Sequence, residues 1–166
     1  MKIRITPPER IDATIQLPAS KSISNRALII HALSKGDHSL ENLSDCDDTQ
    51  VMIRALHAQS GETIDIMAAG TAMRFLTAYL SVTPGDRIIT GTERMQQRPI
   101  EVLVNALREL GANIDYIAHE GFPPLRIQST TLTKSHITLP GNISSQYIIN
   151  ENIHKGFYRC IKFNDI

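Results

Sequence analysis

Residues 15–28, IQLPASKSISNRAL, have the pattern of the end of a strand, a turn and the start of a helix. Polar and apolar residues alternate through 11–17, which predicts a strand, and Pro18 ends it because proline cannot donate to a strand ladder. The polar residues that begin at Ser20 then open an apolar run, which predicts a helix. The first turn of a helix presents unpaired backbone N–H groups and attracts anions, so this turn is the first candidate binding site.

The same order of elements recurs along the chain. Residues 137–144, ITLPGNIS, repeat the pattern of 15–22, and Gly70 and Thr71 form a looser third copy. Repeated strand–turn–helix units predict an α/β fold of repeated βα elements. The other predicted elements are strands at 39–41, 62–67 and 86–90, helices from Asp47 or Asp48 to Gly61, at 72–80, from Pro99 to Gly111 and at 144–155, and a hairpin of 113–118 with 125–128.

The composition is that of an ordinary globular protein. The chain has 166 residues, of which 42% are hydrophobic, and 17 Lys and Arg balance 17 Asp and Glu. A zero net charge argues against a bulk nucleic-acid binder. Cys46 and Cys160 are far apart and form no disulfide or zinc pattern. Since neither a signal segment nor a membrane-length apolar run occurs, we expect a cytoplasmic protein with no nucleic-acid or membrane partner.

The first helix start carries a concentrated set of anion-binding side chains. Lys21 adds an ammonium group, and Ser22 and Ser24 add hydroxyl donors. Arg26 follows Ser22 by four residues, so the two side chains share one helical face. This group suits a phosphate or a carboxylate. A serine-capped helix with solvated Lys and Arg is the alternative that these residues alone leave open.

A second group of candidate residues follows the later predicted strands. Gly70 permits close approach of a ligand to the backbone, and Arg74 lies one helical turn later. Arg94 and Arg98 lie in the loop before Pro99, and arginine binds carboxylates and phosphates through paired hydrogen bonds. A tight turn with solvated arginines is the open alternative here. At the third helix start the candidate donors are Ser144, Ser145 and Gln146.

Several common site patterns are absent from the sequence. The six histidines have no metal-binding spacing. Neither a P-loop nor a Gly-x-Ser-x-Gly turn occurs. The residues therefore give no support to a metalloenzyme, a P-loop kinase or a serine hydrolase.

Taken together, these segments resemble the EPSP synthase family. The matching motifs are LPASKSISNRAL at 17–28, AGTAMR at 69–74, RMQQRPI at 94–100 and GNISSQY at 141–147. The resemblance implies an α/β fold of inside-out βαβαββ repeats. Residues 1–148 would hold two such units and the start of a third, and residues 149–166 would form a tail that does not match the family.

The resemblance also implies an activity and its residues. Members transfer an enolpyruvyl group from phosphoenolpyruvate to the 5-hydroxyl of shikimate 3-phosphate, giving EPSP and phosphate, in the shikimate pathway to chorismate and the aromatic amino acids. No metal or organic cofactor is implied, and the complete enzyme would be a monomer. The implied shikimate 3-phosphate ligands are Lys21, Ser22, Arg26, Ser144, Ser145 and Gln146. The implied phosphoenolpyruvate ligands are Lys21, Gly70, Arg98 and Gln146, with Lys21 as the catalytic candidate.

Two details bear on membership within this group of enzymes. Many members have Asn two residues before the glycine of the second motif, where this chain has Ala68. A related transferase that acts on UDP-N-acetylglucosamine has Asn after the motif lysine and a reactive Cys in a later loop. Here Ser22 follows Lys21 and residues 91–98 contain no Cys, so this alternative is disfavoured.

Length is the larger departure from the family. Family chains run to well over twice this length, and the residues that move protons in the reaction lie beyond the shared part. We therefore expect the isolated chain to be inactive, as a truncated product or fragment, or as a remnant that binds small anions without turnover. We also expect apolar faces such as that of Ile100, Leu103 and Leu107 to be partly uncovered.

Overall fold

The computed structural model describes residues 3–4, 10, 12–34 and 38–134, together with short strands at 138–140 and 162–164. Its helices are α1 (Lys21–Ser34), α2 (Asp47–Leu56), α3 (Gly70–Val82), α4 (Glu93–Gln96) and α5 (Glu101–Leu110). Its strands are β1 (Thr63–Asp65), β2 (Asp86–Thr90), β3 (Asn113–Tyr116), β4 (Leu125–Gln128), β5 (Thr138–Pro140) and β6 (Lys162–Asn164).

Strands β1 to β4 form one sheet and, with α3 and α5, make a complete βαβαββ unit. The strand order is β1-β2-β4-β3. Strands β1 and β2 are parallel and are joined through α3, whereas β4 runs antiparallel to both β2 and β3. The unit confirms the predicted α/β class and the predicted hairpin.

The helices cover one face of this sheet and form the core with it. The buried strand residues are Ile64, Ile89, Ile114, Leu125 and Ile127. The apolar face predicted for α5 packs on them, and Leu103 and Leu107 are 0% exposed. The expectation that the face of Ile100, Leu103 and Leu107 is partly uncovered was therefore wrong, because α3 and the sheet of the same unit already cover it. Gly111 ends α5 in the left-handed region, at φ 110°, as predicted.

Two predicted strands are absent from the described residues. Residues 12–20 and 39–41 have no regular secondary structure. The alternating pattern at 11–17 was a misleading signal, because a strand also needs a hydrogen-bonded neighbour and the described residues offer none here. Ile15 and Leu17 are consequently 78% and 81% exposed.

Other element boundaries differ from the predicted ones. Helix α3 begins at Gly70, earlier than the predicted 72, and β1 is shorter than the predicted 62–67. Helix α5 begins at Glu101 and not at Pro99, because Ile100 is the N-cap and its backbone angles, φ −131° and ψ 3°, are not helical. The Ile100 N–H donates to the Gly121 carbonyl at 2.9 Å. Helix α4 has four residues, too few to give a periodic pattern.

The C-terminal region contributes one further pairing. Strand β5, within the predicted repeat, pairs in parallel with β6, which no sequence pattern had predicted. The helix predicted at 144–155 lies outside the described residues. No helix among those described is both long and apolar enough to cross a membrane.

Candidate anion-binding site

The topology of the unit brings two turns to the same edge of the sheet. Because β1 and β2 are parallel neighbours, the segments that follow them leave at one edge, where α/β proteins commonly bind ligands. Backbone hydrogen bonds tie these segments together: the Ile66 N–H donates to Thr90 and the Thr92 N–H donates to Met67, each at 3.0 Å. The start of α3 and the loop after α4 therefore lie side by side.

Gly70 and Arg98 meet at this edge. A Cβ atom added at Gly70 would lie 2.9 Å from Arg98 Cζ, so the guanidinium lies directly against the backbone of the helix start. Only glycine leaves room for this contact. Within the described part of the chain, the Arg98 guanidinium has no hydrogen-bond or ion-pair partner, and its side chain is exposed. A cation beside free helix N–H groups is suited to a carboxylate or phosphate.

The start of α3 has the features of an anion receptor. Its N-cap residue, Ala69, makes no side-chain capping bond, so no side chain among the described residues competes for the first N–H groups. Arg74 Nη1 donates to the Gly70 carbonyl at 3.2 Å. The small hollow beside the helix start is lined by Gly70, Met73, Arg74, Met95, Arg98, Pro99 and Ile100.

The first motif places its own cations at the start of α1. Lys21 and Ser22 are exposed, and Lys21 Nζ lies 3.2 Å from Asp48 Oδ2 at the start of α2. Arg26 Nη1 donates to the Ser22 carbonyl at 2.8 Å, so these two residues are brought together. In the sequence Asp48 indicates only a possible helix cap, and no local pattern indicates its pairing with the motif lysine.

The remaining polar residues of this motif point into the protein. Ser24 Oγ accepts the Ser44 N–H at 2.9 Å, and Asn25 Oδ1 accepts the Thr49 hydroxyl at 3.0 Å. Both motif residues are buried. The expectation that Ser24 offers a hydroxyl to an anion was therefore wrong, because its oxygen holds the loop before α2. Asn25, which sequence reasoning did not single out, joins α1 to α2.

The cap of α2 is a cysteine and not the predicted Asp47 or Asp48. Cys46 Sγ lies 3.3 Å from the Thr49 hydroxyl oxygen. Hydrogen bonds from Ser44 and Thr49 lower the pKa of the Cys46 thiol. These contacts stabilise the start of α2, and that start carries the carboxylate that faces Lys21.

An aromatic contact connects α1 with α3. The Arg26 guanidinium carbon lies 5.7 Å from the centroid of the Phe75 ring. Phe75 follows the second motif directly in the chain, but nothing in the sequence indicates that it faces the first motif. Ser144, Ser145 and Gln146 lie outside the described residues, so their placement relative to these groups stays a prediction. No cluster of three or more possible metal ligands occurs in the described part of the chain.

Comparisons with known proteins agree on one family. The family model described as EPSP synthase (3-phosphoshikimate 1-carboxyvinyltransferase) matches residues 5–64 and 56–154, so its match runs past residue 148. The 3-phosphoshikimate 1-carboxyvinyltransferase of Bacteroides fragilis strain YCH46 is 74% identical over 148 residues, which are 89% of this chain and 36% of that protein. The enzyme of the same name from Vibrio cholerae strain M66-2 is 40% identical over 171 residues, covering 88% of this chain and 40% of that protein.

A structural comparison supports the same fold. The solved structure of EPSP synthase from Acinetobacter baumannii superposes with a TM-score of 0.76 at 19% identity, covering 92% of this chain and 40% of that one. The chain thus spans 36% to 40% of the length of these relatives.

Proposed function

Because this chain belongs to the EPSP synthase family, we propose that it supplies part of the site that transfers an enolpyruvyl group from phosphoenolpyruvate to the 5-hydroxyl of shikimate 3-phosphate. The products are EPSP and phosphate. The observation that carries the proposal is the packing of Arg98 against Gly70 at the carboxyl edge of β1 and β2. Both groups belong to motifs shared with the family, and together they suit an anion.

Phosphoenolpyruvate is the ligand proposed for the start of α3. The helix N-terminus offers backbone N–H donors and a partial positive charge. The Arg98 guanidinium beside it supplies a planar pair of donors that fits a carboxylate or phosphate. Lys21 and Gln146 complete this set in the proposal. The backbone N–H groups of the helix start are fixed in place before an anion arrives, which lowers the entropy lost on binding.

Shikimate 3-phosphate is the ligand proposed for the start of α1. Lys21 and Ser22 are exposed there, and Arg26 lies against the Ser22 carbonyl. Ser144, Ser145 and Gln146 are the further ligands in the proposal. Lys21 belongs to both ligand sets and is the candidate catalytic group, because an ammonium between two anions stabilises charge as the transfer proceeds.

The cellular setting belongs to the same proposal. We place the protein in the cytoplasm, in the shikimate pathway to chorismate and the aromatic amino acids, acting as a monomer without a metal or an organic cofactor. Its partners are then the two small anionic substrates, and neither a nucleic acid nor a membrane.

Binding without turnover is the second candidate function. The chain spans 36% of the length of the Bacteroides fragilis relative, so a large part of that protein has no counterpart here. Positioned acid and base groups each contribute about 10²- to 10⁴-fold to such a reaction. The second proposal is therefore that the 166-residue chain binds the anionic substrates and does not turn them over.

Calorimetric titration tests the binding sites. We expect Lys21→Ala to weaken the binding of shikimate 3-phosphate about ten- to a hundredfold, because a charge-assisted hydrogen bond contributes about 1.5–3 kcal/mol. Lys134→Ala removes the same charge from an exposed residue outside the site and should leave the affinity unchanged. An unchanged affinity in Lys21→Ala would remove Lys21 from the site.

A phosphate-release assay tests the activity. The chain is incubated with both substrates, first alone and then with a separately produced C-terminal portion of a family enzyme. Turnover only in the mixture supports the proposed half-site. Turnover by the chain alone contradicts the need for a second portion, and binding without turnover in either case favours the second candidate function.

A further inference from the structure

The Arg26 guanidinium is held on two sides by groups that leave most of its donors unused. Nη1 donates to the Ser22 carbonyl at 2.8 Å, and the face of the Phe75 ring lies 5.7 Å from Cζ. A guanidinium has five N–H donors. The others have no acceptor in the described part of the chain. An aromatic ring holds a cation without consuming a donor, whereas a carboxylate would occupy donors and neutralise the charge.

Phe75 is fixed by the core of the unit. It lies in α3, is 1% exposed and packs among the buried side chains that line the helices and the sheet. Its ring is therefore set in orientation before any ligand binds. The guanidinium is less strongly hydrated than an ammonium and stacks on such a face.

The contact crosses between the two proposed subsites. Arg26 belongs to α1, whose start is the proposed shikimate 3-phosphate subsite. Phe75 belongs to α3, whose first residue, Gly70, contacts Arg98 in the proposed phosphoenolpyruvate subsite. One rigid helix thus carries the receptor for one anion and orients the arginine that faces the other.

We propose that Phe75 is a positioning residue that orients Arg26 for the shikimate 3-phosphate anion and so aligns the two subsites. This inference rests on the proposed function for the identity of the ligand. A long arginine side chain loses rotamer freedom when a ligand immobilises it. Phe75 restricts that freedom in the free protein, so less entropy is lost on binding. Leucine would fill much of the same space but has no π-face to attract a cation.

A double-mutant cycle separates positioning from general packing. We expect Phe75→Leu to weaken the binding of shikimate 3-phosphate about two- to thirtyfold by calorimetry, the range expected when a cation–π contact is lost. In an Arg26→Met background, Phe75→Leu should cause no further loss, because Phe75 acts only through Arg26. Leu80→Ala, a buried change elsewhere in α3, controls for reduced stability and should leave the affinity unchanged. Equal losses from Phe75→Leu in both backgrounds, or no loss in either, would overturn the proposal.

A measurement on the ligand-free chain keeps this test apart from the proposed function. Ring currents above Phe75 should move the NMR signals of the Arg26 side chain upfield, and Phe75→Leu should abolish that shift. If the wild-type chain binds no shikimate 3-phosphate, the proposed ligand is wrong. The ring-current measurement still shows whether Arg26 lies against the Phe75 ring. Arg26 signals that are the same with and without the ring would refute the positioning role.

Discussion

The βαβαββ unit buries its apolar side chains, whereas the region of α1 leaves several of its apolar side chains exposed. In the unit, β1 to β4 and their helices enclose a core in which Leu107 and Phe75 are almost fully buried. In residues 12–34, Leu17, Ile23 and Ile30 are 81%, 70% and 60% exposed. Helix α1 is apolar on two sides: Leu28 and Ile29 pack against the core, and Ile23 and Ile30 face outward. A unit whose strands and helices are contiguous in sequence buries its own core, whereas α1 leaves Ile23 and Ile30 exposed among the described residues.

The largest effect that this comparison predicts is on stability. Leu103→Ala removes a side chain that is 0% exposed and should lower the free energy of unfolding by about 2–5 kcal/mol, because it leaves a cavity. Ile30→Ala makes a similar truncation on the outward face of α1 and should change it by only about 0.5 kcal/mol or less. Urea denaturation followed by circular dichroism measures both values. Equal losses would mean that α1 is covered in solution.

The same comparison explains what the sequence predicts well. The face of α5 and the hairpin of β3 and β4 were correctly predicted, because helical period, turn residues and a glycine stop are local signals. The strand at 11–17 was wrong because pairing depends on a distant partner. The contact between Gly70 and Arg98 depends on both local sequence and tertiary structure. Each residue is recognisable from its local sequence as a candidate, but only the parallel pairing of β1 and β2 makes the two residues neighbours.

Several of the contacts that the sequence did not reveal are long-range. Phe75 looks like any core aromatic, and only the tertiary structure puts its ring beside Arg26. Asp48 resembles a helix-capping residue, and its approach to Lys21 spans 27 positions. Ser24 was predicted only as a hydroxyl donor at the first helix start. A serine there can cap, bind a ligand or hold a neighbouring loop, and its residue type does not distinguish these roles.

Gly70→Ala should give the next largest effect. It should weaken ligand binding more than it lowers the stability of the fold. The added Cβ would lie 2.9 Å from Arg98 Cζ and force the guanidinium away. The displaced guanidinium would lose its charge-assisted hydrogen bonds to the anion, which contribute about 1.5–3 kcal/mol, so phosphoenolpyruvate should bind about ten- to a hundredfold more weakly. In an Arg98→Ala background the substitution should have little further effect. A full loss without Arg98 would show that the Cβ blocks the ligand itself.

Asp48→Asn should have a smaller effect on ligand affinity, and it should strengthen binding and not weaken it. The carboxylate lies 3.2 Å from Lys21 Nζ, in a pair that is 48% and 26% exposed, and an incoming anion must compete with it. Such pairs contribute about 0.2–1 kcal/mol, so shikimate 3-phosphate should bind up to about fivefold more tightly to the variant. Asp47→Asn removes the neighbouring charge, which has no ion-pair partner in the described residues, and is the matched control. Weaker binding in Asp48→Asn alone would show that the carboxylate orients Lys21 and does not compete with the anion.

One ion pair of the unit, between Arg126 and Asp86, differs from that of α1 because it lies in the sheet and away from the proposed ligands. Arg126 on β4 donates through Nη2 to Asp86 Oδ2 at 2.6 Å and through Nε to Oδ1 at 3.0 Å. Gln128 Nε2 also donates to Asp86 Oδ2, at 3.1 Å. The hydrogen bonds from Arg126, and then that from Gln128, hold the pKa of the Asp86 carboxyl below its ordinary value.

The lowered pKa makes this pair a small, acid-sensitive contribution to stability. A carboxyl whose pKa is lower in the folded chain stabilises the fold fully above its unfolded pKa of about 3.9, and that contribution is lost as the pH falls through the folded value. Asp86→Asn should therefore reduce the free energy of unfolding at pH 7, and the difference from wild type should shrink as urea denaturation is repeated at pH 4 and then pH 2. Asp45→Asn, an exposed residue without a partner in the described part of the chain, should show no such change. A difference that is the same at all three pH values would mean that Asp86 supports the sheet through packing and not through its charge.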